Sequence, residues 1–358
     1  MTIVTADVRS SIEQLAARHD LPCVLVAWTQ GTEVQLLAAG TSAADASPPA
    51  TALFPVASVT KLATALTVLR LVASGHIALD DPLAVHLPEA AAAVAGVTLR
   101  SLLCHTSGLP DDVAPELAPY AMGLNSERLA QACLATPLVR PPHSHVTYSN
   151  VGYGLLALVV ARRTGLPFAT ALTRLVLDPL GIEGYLGVEP PRPPVRVAGK
   201  LGEHAGTELE PFNSAFWRSL AMPWAGLVTT VGGALALVRA YMGVPAGFLP
   251  PELLRVATAD QTADQTGGLA GGLAGGFTGW LEWDPCPWGL GPEVLGHKSP
   301  HMAPERASSV SFGHSGYSGC LLLTAEGLSG AQRAVYFEDG VVCALASSLP
   351  ADSFPDWL

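Results

Sequence analysis

Charge is scarce in this chain. Only 14% of its 358 residues are Asp, Glu, Lys or Arg, and the balance is acidic, at −11. Proteins that hold nucleic acid or anionic membranes need clustered Lys and Arg, and the 19 such residues here are spread along the whole length. Neither nucleic acid nor membrane is an expected partner. Long apolar runs are missing too, although the mean hydropathy is +0.36. The longest run, Leu155 to Ala161, stops at Arg162 and Arg163, far short of the roughly 20 residues of a membrane span. It reads as a buried helix segment. Residues 1–22 read as an amphipathic helix carrying Asp7, Arg9, Glu13, Arg18 and Asp20, without the apolar stretch and cleavage site of a secretory signal.

Cysteine is sparse, six in all, with no closely spaced metal-ligating pair. Dispersed thiols in apolar runs imply free, buried side chains in a reducing compartment, so a cytoplasmic location is expected. His143 and His145 could hold a metal only with a remote third ligand, and there is no His-Glu-x-x-His pattern, so no metal or other cofactor is expected. Gly267–Gly279 lacks the Gly-Lys-Ser/Thr of a phosphate loop and reads as a flexible loop.

Strand-like runs occur at Cys23–Trp28 and Val34–Ala39, then near the end at Gly319–Thr324, Arg333–Phe337 and Val341–Ala346, the last two separated by the turn Glu338-Asp339-Gly340. Between them helices are expected at Ser58–Ala73, Leu99–Cys104, Glu127–Leu134, Asn150–Thr164 and Phe168–Leu177. The fold class is therefore α+β: an antiparallel sheet from both chain ends, flanked by helices, with an inserted helical lobe. The sheet lobe would take residues 1–75 and 300–358, the helical lobe 76–299 with a Gly/Trp-rich loop at 267–299.

Chemistry concentrates at Ser58-Val59-Thr60-Lys61. At about 100° per residue, Lys61 shares the apolar face of Ala65, Val68, Leu69 and Val72. Burial there disfavours its charged form, and a neutral amine one turn from Ser58 is what a hydroxyl needs to become a nucleophile. The competing reading is an N-cap serine and a lysine that snorkels to solvent. With three lysines and 23 serines, some Ser-x-x-Lys arises by chance in roughly one such chain in five. A second element, Tyr148-Ser149-Asn150, makes the pair a much rarer coincidence. A third, Phe312-Gly313-His314-Ser315-Gly316-Tyr317, enters a C-terminal strand whose small residues would let backbone N–H groups reach a substrate carbonyl.

These residues resemble the serine β-lactamase and penicillin-binding-protein-like superfamily, in the branch of class C β-lactamases, D-alanyl-D-alanine carboxypeptidases and family VIII carboxylesterases. Ala57–Lys61, Ser74–Pro82, Leu102–Leu109, Asp178–Gly181 and Ala225–Thr230 also look like recurring family segments. The resemblance implies a β-lactamase-like fold in which Ser58 forms an acyl-enzyme and Lys61 and Tyr148 share general-base and general-acid work. Asn150 would position substrate and bond to Lys61. His314, Ser315, Gly316 and Tyr317 would bind substrate, with the Ser58 and Tyr317 N–H groups as the oxyanion hole. His314 stands where many relatives carry lysine, which removes a fixed positive charge used to hold β-lactam carboxylates. Gly233 replaces an acidic residue, with a structural effect only. The loop with Trp280, Trp283 and Trp288 would either wall the acyl pocket or anchor itself on the core. A serine hydrolase of small-molecule esters or amides is therefore expected, an esterase or acyltransferase before a D-alanyl peptidase or weak β-lactamase. A catalytically silent ligand-binding relative is the remaining alternative, and the oligomeric state is left open.

Overall fold

The computed structural model describes residues 24–30, 33–39, 51–197, 202–263, 272–277, 281–299, 309–316, 320–325 and 334–339, with a few helical positions between 9 and 17. Strands from the two chain ends meet in its main sheet. The strands in chain order are β1 (Val24–Gln30), β2 (Glu33–Ala39), β3 (Phe54–Pro55), β4 (Val146–Thr147), β5 (Gly184–Tyr185), β6 (Val228–Thr229), β7 (Gly275–Phe277), β8 (Leu281–Trp283), β9 (Glu293–Val294), β10 (Phe312–Gly316), β11 (Cys320–Ala325) and β12 (Ala334–Asp339). Six form an antiparallel sheet in the order β2-β1-β12-β11-β10-β9. Leu25 and Ala27, two apart on β1, are both fully buried, the period of a strand with one face on the core. The expected strand Val341–Ala346 lies outside the described residues. The turn placed before it is displaced, since Glu338 and Asp339 still pair with Val26 and Leu25.

The helices include α1 (Thr60–Ala73), α2 (Leu99–Leu103), α3 (Ser126–Ala135), α4 (Asn150–Thr164), α5 (Phe168–Leu172), α6 (Val231–Tyr241) and α7 (Pro251–Thr258), besides the short helical turns Leu83–His86 and Ala215–Ser219. The expected start at Ser58 becomes a 3-10 turn, Ala57–Val59, and the expected end at Leu177 becomes a π turn, Thr173–Leu177. Helix α4 is apolar on nearly every side; Ser149 Oγ caps it by accepting from Gly152 N at 3.2 Å, and Gly165, at φ +68°, closes it. It packs beside α1, α2 and α3. Helix α6 is not among the expected helices, and two glycines, Gly232 and Gly233, stand in its first turn. It forms because its buried face, Val231, Ala234, Leu235, Leu237 and Val238, packs on β1, β11, β12 and α1. A Cβ on Gly233 would lie 2.2 Å from Thr229 Oγ1, which accounts for glycine at this position.

The sheet also recruits β9 from the stretch expected in the helical lobe. That stretch further contributes strands to two three-stranded sheets, β3-β6-β5 and β4-β7-β8. Within the Gly-rich tract, expected to be a flexible loop, the described residues 275–277 are instead the central strand of the latter. A Cβ on Gly275 would sit 2.0 Å from the Val146 carbonyl oxygen, and one on Gly276 2.1 Å from that of Leu281. The glycines permit close backbone approach rather than mobility. Among the described residues, no single helix is long and apolar enough to cross a membrane.

Packing at α4 generates a test. A Cβ on Gly154 would lie 2.4 Å from Cys133 Sγ and 3.2 Å from Trp224. Gly154→Ala is expected to destabilise the protein by about 1–3 kcal/mol through overpacking, and Cys133→Ala to recover part of that loss in the double variant. Denaturant titration of the four proteins measures both.

Candidate active site

Ser58 follows a strained residue. Ala57 has φ +43°, a conformation that side-chain-bearing residues avoid unless their surroundings impose it. The imposition is visible: Val56 N donates to Leu227 O and Leu227 N donates to Thr60 Oγ1, each at 3.0 Å. Ser58 is thereby held half-buried where the 3-10 turn runs into α1, with β10 alongside.

Lys61, one turn on, is fully buried. Its Nζ lies 2.7 Å from Asn150 Oδ1, 3.1 Å from the Trp224 carbonyl oxygen and 3.4 Å from Ser58 Oγ. Burial holds its pKa well below the ordinary lysine value, opposed in part by the charge of Asp112. Counting donors then decides the geometry. A neutral amine has two N–H groups and one lone pair, and two of its three neighbours are carbonyl oxygens that only accept. In that uncharged form both N–H groups are committed to Asn150 and Trp224, and the lone pair is left for the Ser58 hydroxyl.

Tyr148 is positioned by the β4–β7 pairing, its N–H donating to Gly276 O at 3.0 Å. Its ring packs against Phe277, His105, Trp288 and His314, at centroid separations of 4.5, 4.7, 5.6 and 5.8 Å. Lys61 Nζ lies 4.6 Å from the same ring centre. Burial pushes the phenol pKa up, opposed by a hydrogen bond with Ser58. Burial therefore keeps Tyr148 a neutral phenol and favours the uncharged form of Lys61. Asn150, the first residue of α4, links the amine to Asp112 by donating Nδ2–H to Asp112 Oδ2 at 3.1 Å.

His314 is buried on β10, and its Nδ1 lies 2.7 Å from the Ser315 carbonyl oxygen. That contact assigns the proton to Nδ1 and leaves Nε2 as a buried acceptor without a partner among the described residues. Burial, then the nearby Lys61, lowers its pKa to about 4, so the ring is neutral near pH 7. Strand β9 pairs only with Phe312 and Gly313, so among the described residues no strand covers that edge of β10 at Ser315 and Gly316. Tyr317, the expected second oxyanion donor, lies outside the described residues.

The sequence reading missed three participants. His105 accepts the Ser149 N–H on Nδ1 at 3.0 Å and packs between Tyr148, Tyr153 and Trp288. The Trp224 carbonyl carries no side-chain signature at all. Asp112 follows the family-like segment Leu102–Leu109 by three residues, which was the available signal.

A cavity of about 330 Å³ opens beside the nucleophile. Ser58, Asn150 and Asp112 border it; Tyr120, Phe212, Trp217, Trp224 and several aliphatic side chains form its walls. The Trp-rich loop takes the anchoring role instead of walling this space. Trp283 and Trp288 are buried behind Tyr148, with Lys298 Nζ 4.8 Å from each ring centre and 2.9 Å from Glu293 Oε1. Trp280 lies outside the described residues. His143 Nε2 lies 2.9 Å from the Gly96 carbonyl oxygen, and among the described residues no group of three or more His, Cys, Asp or Glu could hold a metal ion.

Residues 8–352 match the family described as Beta-lactamase. The chain belongs to that family. Esterase EstB of Burkholderia gladioli is 35% identical over 249 residues, 58% of this chain and 62% of EstB, so the match spans less than two thirds of that relative. Among solved structures, EstCE1, described as a hydrolase with promiscuous acyltransferase activity, superposes with a TM-score of 0.70 at 18% identity, covering 98% of this chain and 97% of EstCE1. An octameric penicillin-binding-protein homologue from Pyrococcus abyssi gives a TM-score of 0.69 at 18% identity over 98% of this chain and 76% of its own. These two establish the fold.

With three lysines in the chain, the state of Lys61 can be read directly. Side-chain ¹⁵N NMR is expected to show one amine titrating far below the usual value of about 10.4. Asp112→Asn should shift it lower still, because the carboxylate favours the charged form. Lys61 titrating near its usual value would contradict the donor count.

Proposed function

We propose that this protein is a serine esterase acting on small acyl esters through an acyl-enzyme at Ser58. The observation that carries this reading is the position of the Ser58 hydroxyl between the lone pair of a desolvated amine and a phenol, at the edge of an apolar cavity. In the first step the Ser58 Oγ–carbonyl carbon bond forms and the hydroxyl proton passes to Lys61. The tetrahedral intermediate then expels the alcohol, which takes its proton from the Tyr148 hydroxyl, and Lys61 returns a proton to Tyr148. Water repeats the sequence on the acyl-enzyme, releasing the carboxylic acid and restoring Ser58. The edge of β10 at Ser315 and Gly316, which no described strand covers, suits an extended substrate, and the N–H of Ser58 at the start of α1 supplies one oxyanion donor.

Three further observations support an esterase over a D-alanyl peptidase or β-lactamase. EstB is named an esterase. His314 is neutral and offers no fixed cation for a substrate carboxylate. The cavity is at the small end of ligand pockets and mostly apolar, as a short acyl chain requires. Buried, free Cys104, Cys133 and Cys286 accord with action in a reducing compartment such as the cytoplasm.

The test is hydrolysis of p-nitrophenyl butyrate with intact-protein mass spectrometry. The wild type is expected to carry a transient butyryl adduct on Ser58. Ser58→Ala should lose the adduct and at least about 10³-fold in kcat/KM; Tyr148→Phe should lose about 10²–10⁴-fold while still accepting the acyl group. Full activity in Ser58→Ala would remove the proposal.

A further inference from the structure

Among the described residues, the wall of the acyl cavity carries one carboxylate and no cation to match it. Of the described side chains that border it, Asp112 alone is charged; the others are Ser58, Asn150 and apolar or aromatic groups. Among the described residues Asp112 makes no salt bridge. Its Oδ1 accepts from Val113 N at 2.8 Å and its Oδ2 from Asn150 Nδ2 at 3.1 Å, so the carboxylate is held in a fixed orientation, and these two donors oppose the upward shift that burial gives its pKa. The nearby amine of Lys61 makes no ion pair with Asp112: Asn150 bridges the two, and burial disfavours the charged form of the amine. The two histidines of the site, His105 and His314, are neutral as well. A fixed negative charge thus faces a cavity whose other walls are largely apolar, on the side of Asn150 that looks away from the nucleophile's amine.

We infer that Asp112 makes this cavity a recognition site for acyl groups that carry a positively charged amine, such as amino-acid esters, and turns carboxylate-bearing substrates away. The inference rests on the serine-esterase reading and assigns its substrate class. A substrate ammonium would find at Asp112 the opposite charge the wall lacks. Aromatic walls from Tyr120, Phe212, Trp217 and Trp224 tolerate a cation as well as a hydrocarbon. A substrate carboxylate in the same place would meet like charge, without an arginine, lysine or protonated histidine among the described residues of the cavity wall to offset it. Because Asp112 is itself exposed at the cavity rim, the attraction is screened, and a preference of about tenfold is expected rather than the thousands a buried pair could give.

The test compares leucine methyl ester with methyl 4-methylpentanoate, which has the same carbon skeleton without the ammonium, and with a succinate half-ester, at pH 6.5. In the wild type the kcat/KM ratio of the amino ester to the neutral ester is expected to be about ten, with the half-ester poorest. It should fall towards one as pH rises past about 8, where an α-ammonium loses its proton. Asp112→Asn, which keeps the side chain's shape, should bring the ratio at pH 6.5 to about one, and Asp112→Glu should restore most of it. A wild-type ratio near one overturns the inference. So does an Asp112→Asn variant that slows both esters in the same proportion, since Asp112 would then only hold Asn150. Both results presuppose Ser58-dependent hydrolysis; loss of the esterase reading shows instead as Ser58→Ala matching the wild type on every ester.

Discussion

The site depends on keeping one amine uncharged. An ammonium at Lys61 would have three N–H groups and no lone pair, and it would face Ser58 as a donor rather than a base. The fold withdraws the charge by burying the side chain completely in α1 and then placing two carbonyl oxygens, from Asn150 and Trp224, where they take both remaining hydrogens. Desolvation sets the protonation state, and the count of acceptors sets the direction of the lone pair. Burial has the opposite sign on the phenol of Tyr148, which it keeps protonated. One dry environment therefore produces a base and an acid side by side, the separation of pKa values that acid–base chemistry near neutral pH needs.

Most of the architecture serves that convergence. Lys61 and Ser58 come from one helix turn, Trp224 from the segment that also pins the turn through Leu227, and Tyr148 and Asn150 from the junction of β4 and α4. Tyr148 can stand there because Gly275 and Gly276 bring β7 against β4 with no Cβ between them. Behind the phenol, Trp288, His105 and the buried Lys298–Glu293 pair form a stiff backing. The C-terminal strands supply His314 and an uncovered edge, and the N-terminal strands complete the sheet that holds them.

Legibility in the sequence followed the range of the interactions. Local patterns were readable: the period of α1 placed Lys61 on an apolar face, strand-like runs placed strands at both ends, and helices α1 to α4 came out within a residue or two. Side-chain motifs were readable too, and Ser58, Lys61, Tyr148, Asn150 and His314 do come together. What stayed hidden depends on contacts distant in sequence. Helix α6 carries two glycines that local propensity rejects and tertiary packing accepts. The glycine tract looks mobile until the Val146 and Leu281 carbonyls are seen against it. The Trp224 carbonyl is backbone and leaves no mark in a residue pattern. Asp112 matters because it borders a cavity, which is a property of the assembled walls alone.

The most direct test of the neutral amine is the pH dependence of the rate at which an uncharged fluorophosphonate labels Ser58. The rate is predicted to rise through a single ionisation far below that of an ordinary lysine, near 10.4, and to become slow and nearly pH-independent in Lys61→Met. A rate that rises only near pH 10, or one that Lys61→Met leaves unchanged, would contradict the account.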